Sequence, residues 1–206
     1  MRFVHGPIPS TQAFDPKKKG WTPLDDADPK AQRFATIGNL LALPFIAAAS
    51  WLLLSPQSEV CGFLRGQPRH IAELLLLLAV LVLAHEFIHA VAYFKGLRSP
   101  RLIIGVWASR AMIYVIYDAP MPRHRVLLMS AMPFLLLSAL PAVCLPWLEP
   151  RHELVAVAWF LVLLHTGLCA FDFLASSRLF FRAPRGAWIH NNGWTTYWTT
   201  EYDPAA

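Results

Sequence analysis

The chain has 206 residues, of which 56% are hydrophobic and 15% charged, and a formal net charge of +5. An ordinary soluble domain is roughly 45–50% apolar and about 25% charged. A chain with mean hydropathy +0.42 falls outside that class and reads as an integral membrane protein, its first partner the lipid bilayer. The basic excess gives no reason to expect nucleic acid, because it falls between apolar runs, where it acts as a topology signal.

Residues 1–33 are rich in Pro, Asp and Lys and contain no apolar h-region or small-residue cleavage site. They are expected to form a flexible cytoplasmic arm, with no signal peptide. Four hydrophobic runs follow, at about 34–54, 71–94, 126–148 and 154–175, the last with "SSRLFF" possible as a continuation toward 181. Each is close to the ~20 residues a helix needs to cross a bilayer. Pro44, Pro133 and Pro141 lie inside such runs, where neighbouring helices can satisfy the freed backbone groups. Residues 182–206 are an aromatic-rich tail, dense in Trp, Tyr and Thr, which suits the membrane interface.

Lys and Arg number six in the arm, two in the first loop, six in the second, one in the third and three after the fourth run, Arg178, Arg182 and Arg185. That alternation is what an even number of spans should give. It predicts that both termini and the second loop are cytoplasmic. Within the second loop, "RLIIGVWASRAMIYVIYDAP" (101–120) holds two β-rich runs around a short polar break, and reads as a hairpin. The expected architecture is therefore an all-α polytopic membrane protein. It has four transmembrane helices in a domain covering 34–181, and a cytoplasmic β-hairpin-like insertion between the second and third. A bacterial cytoplasmic (inner) membrane is the expected location.

The second span contains "LAHEFIHA", which places His85, Glu86 and His89 in an oily run. At four-residue spacing the two imidazoles share one helix face and can share one Zn²⁺. Glu86 points about 100° around the helix, where it can serve a water without ligating. This is the H-E-x-x-H arrangement. The bland alternative is a buried polar cluster. It is costly here, because each ionisable group at depth costs at least about 2.5–3.5 kcal/mol. Cys61, Cys144 and Cys169 show no paired spacing and suggest neither a disulfide framework nor a cysteine-based zinc site. Two of them lie in apolar runs and read as small hydrophobes. A third ligand must come from elsewhere. The fourth span offers His165 and Asp172, seven apart on one face. Spacing and depth leave the choice between them open.

These residues together resemble the membrane-embedded zincins, in layout the site-2 protease class, and more closely the DUF3267 family of zincin peptidases. The resemblance covers roughly residues 70–190. It is carried by His85-Glu86-Phe87-Ile88-His89, by Arg125 followed by Pro133, and by His165 seven positions before Asp172. Where site-2 proteases have an N-P-D-G-like motif this chain has "AFDF". The resemblance implies a zinc-dependent peptidase acting on a membrane-protein or peptide substrate. It assigns Asp172 as third ligand with His165 supporting, and Glu86 as general base. The hairpin would offer an edge strand to which an extended substrate could add. Two other readings compete. A di-iron oxygenase needs several His boxes, and only one is present. A membrane scaffold or transporter subunit with a structural zinc would need four protein ligands on the metal.

Overall fold

A computed structural model describes residues 1–10, 14–16, 20–24, 42–51, 55, 58–67, 69–93, 96–110, 112–147 and 152–202. Most of the described chain is helical. Among the described residues three helical stretches are long and apolar enough to cross a membrane: Arg69–Ala92, Arg123–Trp147 and Leu154–Arg182. They correspond to the second, third and fourth predicted runs. Of the first predicted run, 34–54, an apolar helix α1 (Ala42–Trp51) is present, and the rest lies outside the described residues. So do Lys17, Lys18, Lys19, Lys30, Arg33, Lys95 and Arg151 of the charge pattern.

The first loop is not irregular. It forms α2 (Glu59–Gly66), started by Ser58, whose hydroxyl accepts from the Cys61 amide at 3.1 Å. A serine N-cap of this kind satisfies one orphan donor of the first turn. Next comes α3 (Arg69–Ala92). Its surface is inverted relative to a helix in water: Leu75, Leu76, Leu83 and Phe87 are 56–65% exposed, while His89 is 8% exposed. An apolar solvent around the leucines removes the contradiction.

The third long helix segment starts as α4 (Arg123–Phe134), continues through a π-helical turn at Leu135–Ala139, and ends in α5 (Leu140–Cys144) and a 3₁₀ turn at Leu145–Trp147. Pro133 lies in the last turn of α4 and has no N–H to donate, and the wider turn follows it directly. The fourth predicted run is two helices, α6 (His152–Leu168) and α7 (Ala170–Arg182), interrupted at Cys169. Just before the break the Thr166 hydroxyl donates to the Val162 carbonyl at 2.7 Å, a back-bond that bends helices.

The described chain forms two compact units: Met1–Arg33 with Glu86–Ala131 and Phe173–Ala206, and Phe34–His85 with Met132–Asp172. In the second unit Val60 of α2 packs with Ala49, Leu74, Val157 and Phe160. Gly167 lies against α1, where an added Cβ would come within 3.4 Å of the Phe45 Cβ.

The first unit contains all the described strands. Here the all-α expectation needs correction, because the arm and the tail also pair. From the arm come β1 (Arg2–His5) and β2 (Thr22–Pro23). The predicted hairpin is present as β3 (Leu102–Trp107) and β4 (Met112–Tyr117), in register Leu102↔Tyr117 through Trp107↔Met112. β1 adds to β3 in parallel, giving the order β1-β3-β4. A second sheet, β2-β7-β6-β5, joins the arm to β5 (Met121–Pro122) and to the tail hairpin β6 (Trp188–Asn192) and β7 (Thr195–Thr199). Gly193, at φ 60°, opens the two-residue turn of that hairpin, which requires positive φ. Tyr93, Leu102, Tyr117 and Met129 share one core, and Leu24, Leu179, Ala187 and Ile189 another.

Gly105 of β3 has a packing reason. The Tyr114 ring lies across it, and an added Cβ would overlap that ring. The ring is tethered, because its hydroxyl donates to the Gly6 and Pro7 carbonyls, each at 3.2 Å. Burial raises the Tyr114 phenol pKa above its usual value, so it stays a donor. Gly105→Ala should therefore destabilise the first unit by about 1–3 kcal/mol, the cost of overpacking a fixed neighbour. Thermal unfolding in detergent should show a lower melting temperature, with partial recovery when Tyr114→Phe releases the tether. An unchanged melt would mean the ring is not held there.

Candidate metal centre

His85, Glu86 and His89 occupy the C-terminal end of α3, with His89 in its last turn. The helix is continuous here, so the two imidazoles stand one turn apart on one face, as their spacing predicts. The boundary between the two units falls between His85 and Glu86. His165 and Asp172, the partners of His85, lie in the second unit with it, and Glu86 and His89 continue the same helix α3.

Both ring nitrogens of His85 are engaged. Its Nε2 lies 3.2 Å from Asp172 Oδ2. Its Nδ1 lies 3.1 Å from His165 Nε2. His165 is fully buried, and its Nδ1 is 2.7 Å from the Ser138 hydroxyl. The fold explains each position. His165 is in the last turn of α6 and Asp172 in the first turn of α7, so the break at Cys169 sets two polar residues on either side of one joint. Asp172 also gains from the positive N-terminal end of α7. Ser138 belongs to the π turn that follows Pro133. Wider turns of this type recur at functional sites.

One assignment of protons satisfies the whole chain of contacts, with tautomers inferred from the network. If His85 offers an unprotonated Nε2, its proton sits on Nδ1 and is donated to His165 Nε2. The proton of His165 is then on Nδ1 and is donated to Ser138 Oγ. Metal-ligating histidines are usually held this way, by a bond from the other ring nitrogen. The donor set also fits zinc in spacing. Ligand atoms at about 2.0–2.1 Å from a tetrahedral ion stand about 3.3 Å apart, and His85 Nε2 and Asp172 Oδ2 are separated by 3.2 Å.

The structure thus brings His85, His165 and Asp172 together, and it places His165 and Asp172 on opposite nitrogens of one imidazole. Two participants were not anticipated. Ser138 was hidden in an apolar run, its only signal being a hydroxyl between Pro133 and Pro141. Cys169, read as a small hydrophobe, is buried with its Sγ 3.6 and 3.8 Å from the two nitrogens of His165. With His85 and His165 it forms a second group able to offer metal ligands. Each nitrogen of His165 has a nearer partner, Ser138 at Nδ1 and His85 at Nε2.

The family model described as Putative zincin peptidase (DUF3267) matches residues 78–188, more than half of the chain. The chain belongs to this family. The match runs from within α3 to the start of β6, and so covers the HEFIH stretch, Ser138, His165 and Asp172. No curated protein and no solved structure matches the chain. The family description points to a zinc metallopeptidase, a class of hydrolase, and the three long apolar helices among the described residues suit a membrane protein.

Proposed function

We propose that the chain is a membrane-embedded zinc peptidase in which His85, His89 and Asp172 hold the metal and Glu86 is the general base. The observation that carries this reading is the 3.2 Å approach of Asp172 Oδ2 to His85 Nε2, in a chain whose next helical turn presents His89. Zinc, when bound, supplies a Lewis acid that polarises the scissile carbonyl and lowers the pKa of water. Glu86 takes a proton from the attacking water and delivers it to the leaving amine. His165 and Ser138 keep the His85 ring in the ligating tautomer and orientation. Three protein ligands leave the fourth position open, as catalysis requires. A closed structural site would need His165 on the metal as well, and its Nε2 faces the wrong nitrogen of His85 for that.

The substrate is proposed to be an extended segment of a membrane-associated protein, paired to β4. The outer edge of β3 is taken by β1, so among the described residues the edge of the hairpin that no strand covers is on β4. The Asp118 amide donates to the Arg101 carbonyl at 2.9 Å, which fixes the phase of the ladder. By alternation, the backbone groups of Ile113, Val115 and Tyr117 point away from β3. The Val115 carbonyl accepts from the Tyr93 hydroxyl at 3.1 Å, and Tyr93 follows His89 by one turn. The edge is thereby tied to the helix that carries the motif. Ile113→Pro removes one outward N–H and leaves the ladder to β3 intact. It should cut turnover at least about tenfold with zinc still bound. Unchanged turnover would sink strand addition.

Both termini and the second loop are proposed to face the cytoplasm, from the distribution of Lys and Arg. The peptidase reading is tested by mapping new protein termini in membranes that contain the chain, with and without the chelator 1,10-phenanthroline. Cleavage in or beside apolar spans, lost on chelation, is expected. An absence of metal-dependent termini would contradict the proposal.

A further inference from the structure

Cys169 follows His165 by four residues, and its amide still donates to the His165 carbonyl at 3.0 Å. The thiol and the imidazole therefore share one face at the joint of α6 and α7. We propose that Cys169 Sγ, His165 Nε2 and His85 Nδ1 form a second metal site, for a soft cation of the copper(I) kind. It shares His85 with the zinc site and excludes zinc when filled. The second site stands without the peptidase reading, and only the exclusion rests on zinc at His85 Nε2.

The geometry is close to that of a filled site. The three residues belong to one compact unit, and their ligand atoms lie within 4.8 Å of one another. His85 Nδ1 and His165 Nε2 face each other at 3.1 Å, and Cys169 Sγ is 3.8 Å from His165 Nε2. An ion about 2.0 Å from nitrogen and about 2.3 Å from sulfur holds its nitrogens about 3.3–3.5 Å apart and sets sulfur about 3.5–3.7 Å from nitrogen. Seating it needs shifts of only about a few tenths of an ångström, and it replaces the hydrogen bond between the two rings. His165 and Cys169 are fully buried. Two imidazoles and a thiolate, with no carboxylate, favour a soft cation, whereas Asp172 gives the zinc set its hard oxygen.

One proton decides which site is open. With the His85 proton on Nδ1, directed at His165, the Nε2 lone pair is available to zinc. With that proton on Nε2 it is donated to Asp172 Oδ2 at 3.2 Å, and the Nδ1 lone pair turns to copper. Asp172 then becomes the carboxylate that orients a ligating histidine. His165 is the same in both states, its Nδ1 proton directed at Ser138. Coordination displaces the Cys169 thiol proton to solvent, and no electron is transferred. A neutral imidazole has one lone pair for a metal, so the two sites compete for His85. By linkage each metal weakens the other's binding by the same factor.

The test uses the full chain in detergent, with Cys61→Ser and Cys144→Ser so that Cys169 is the one thiol. Zinc-loaded and metal-stripped samples are titrated without oxygen with copper(I), against bathocuproine disulfonate as competitor. One copper per chain is expected, with sulfur and nitrogen neighbours in copper X-ray absorption, and zinc released one for one. Adding Cys169→Ser should weaken copper binding more than about 100-fold and leave zinc content unchanged. Asp172→Ala should do the reverse, losing zinc and weakening copper binding only about tenfold. The sulfur signal does not depend on whether either of these last two variants folds. Copper bound without sulfur, or bound equally well by a folded Cys169→Ser chain, would overturn the site. Full occupancy by both metals together would overturn the exclusion. Copper bound through sulfur by a chain that takes up no zinc would uphold the second site and count against the zinc reading alone.

Discussion

Glu86→Gln should bind about one zinc per chain and cleave at least about a hundredfold more slowly than the wild type. The expectation follows from the division of labour on α3. His85 and His89 share the ligand face, and Glu86 points about 100° away, so the amide of Gln removes a base and no ligand. A positioned general base contributes typically about 10²–10⁴-fold. The measurement pairs zinc analysis of the purified chain with cleavage of a substrate found by terminus mapping. Loss of zinc together with activity would mean that Glu86 holds the metal or the helix. Full activity with full zinc would remove it from the chemistry.

Asp172 and His165 should separate just as clearly. Asp172→Ala is expected to weaken zinc binding more than about 100-fold, since it leaves two imidazoles as the only protein ligands. His165→Ala should bind zinc about 10–100-fold more weakly, the usual cost of losing the group that orients a ligating histidine. Ser138→Ala should follow in the same direction with a smaller effect, since it removes the bond at 2.7 Å that fixes the His165 ring. Competition with a chromogenic chelator reads all three. If His165→Ala proved as damaging as Asp172→Ala, the two residues would have to exchange roles.

How much of this was legible depends on the range of the interactions involved. The apolar runs, the hairpin at 102–117 and the helical face of His85 and His89 are local patterns, and the structure bears out the runs it describes and the hairpin. The pairing of Arg2–His5 with β3 joins residues about a hundred positions apart. Nothing in "RFVH" states its partner, so the arm read as irregular. The tail hairpin did carry a local sign, Asn192-Gly193 between Thr- and Trp-rich runs, which the reading of the tail as interfacial aromatics passed over. In the site, helical spacing put His165 and Asp172 on one face but could not distinguish their roles. The proposed distinction rests on the ring nitrogens of His85, one facing each residue. Ser138 depends on the turn that follows Pro133, which a straight helical projection would place differently.

The most direct test of the metal centre is zinc X-ray absorption on the wild-type chain purified with its metal. The account predicts two imidazole nitrogens and oxygen ligands at about 2.0–2.2 Å, with no sulfur. A Zn–S distance near about 2.3 Å, which would bring in Cys169, or a folded wild-type chain that binds no zinc, would contradict it.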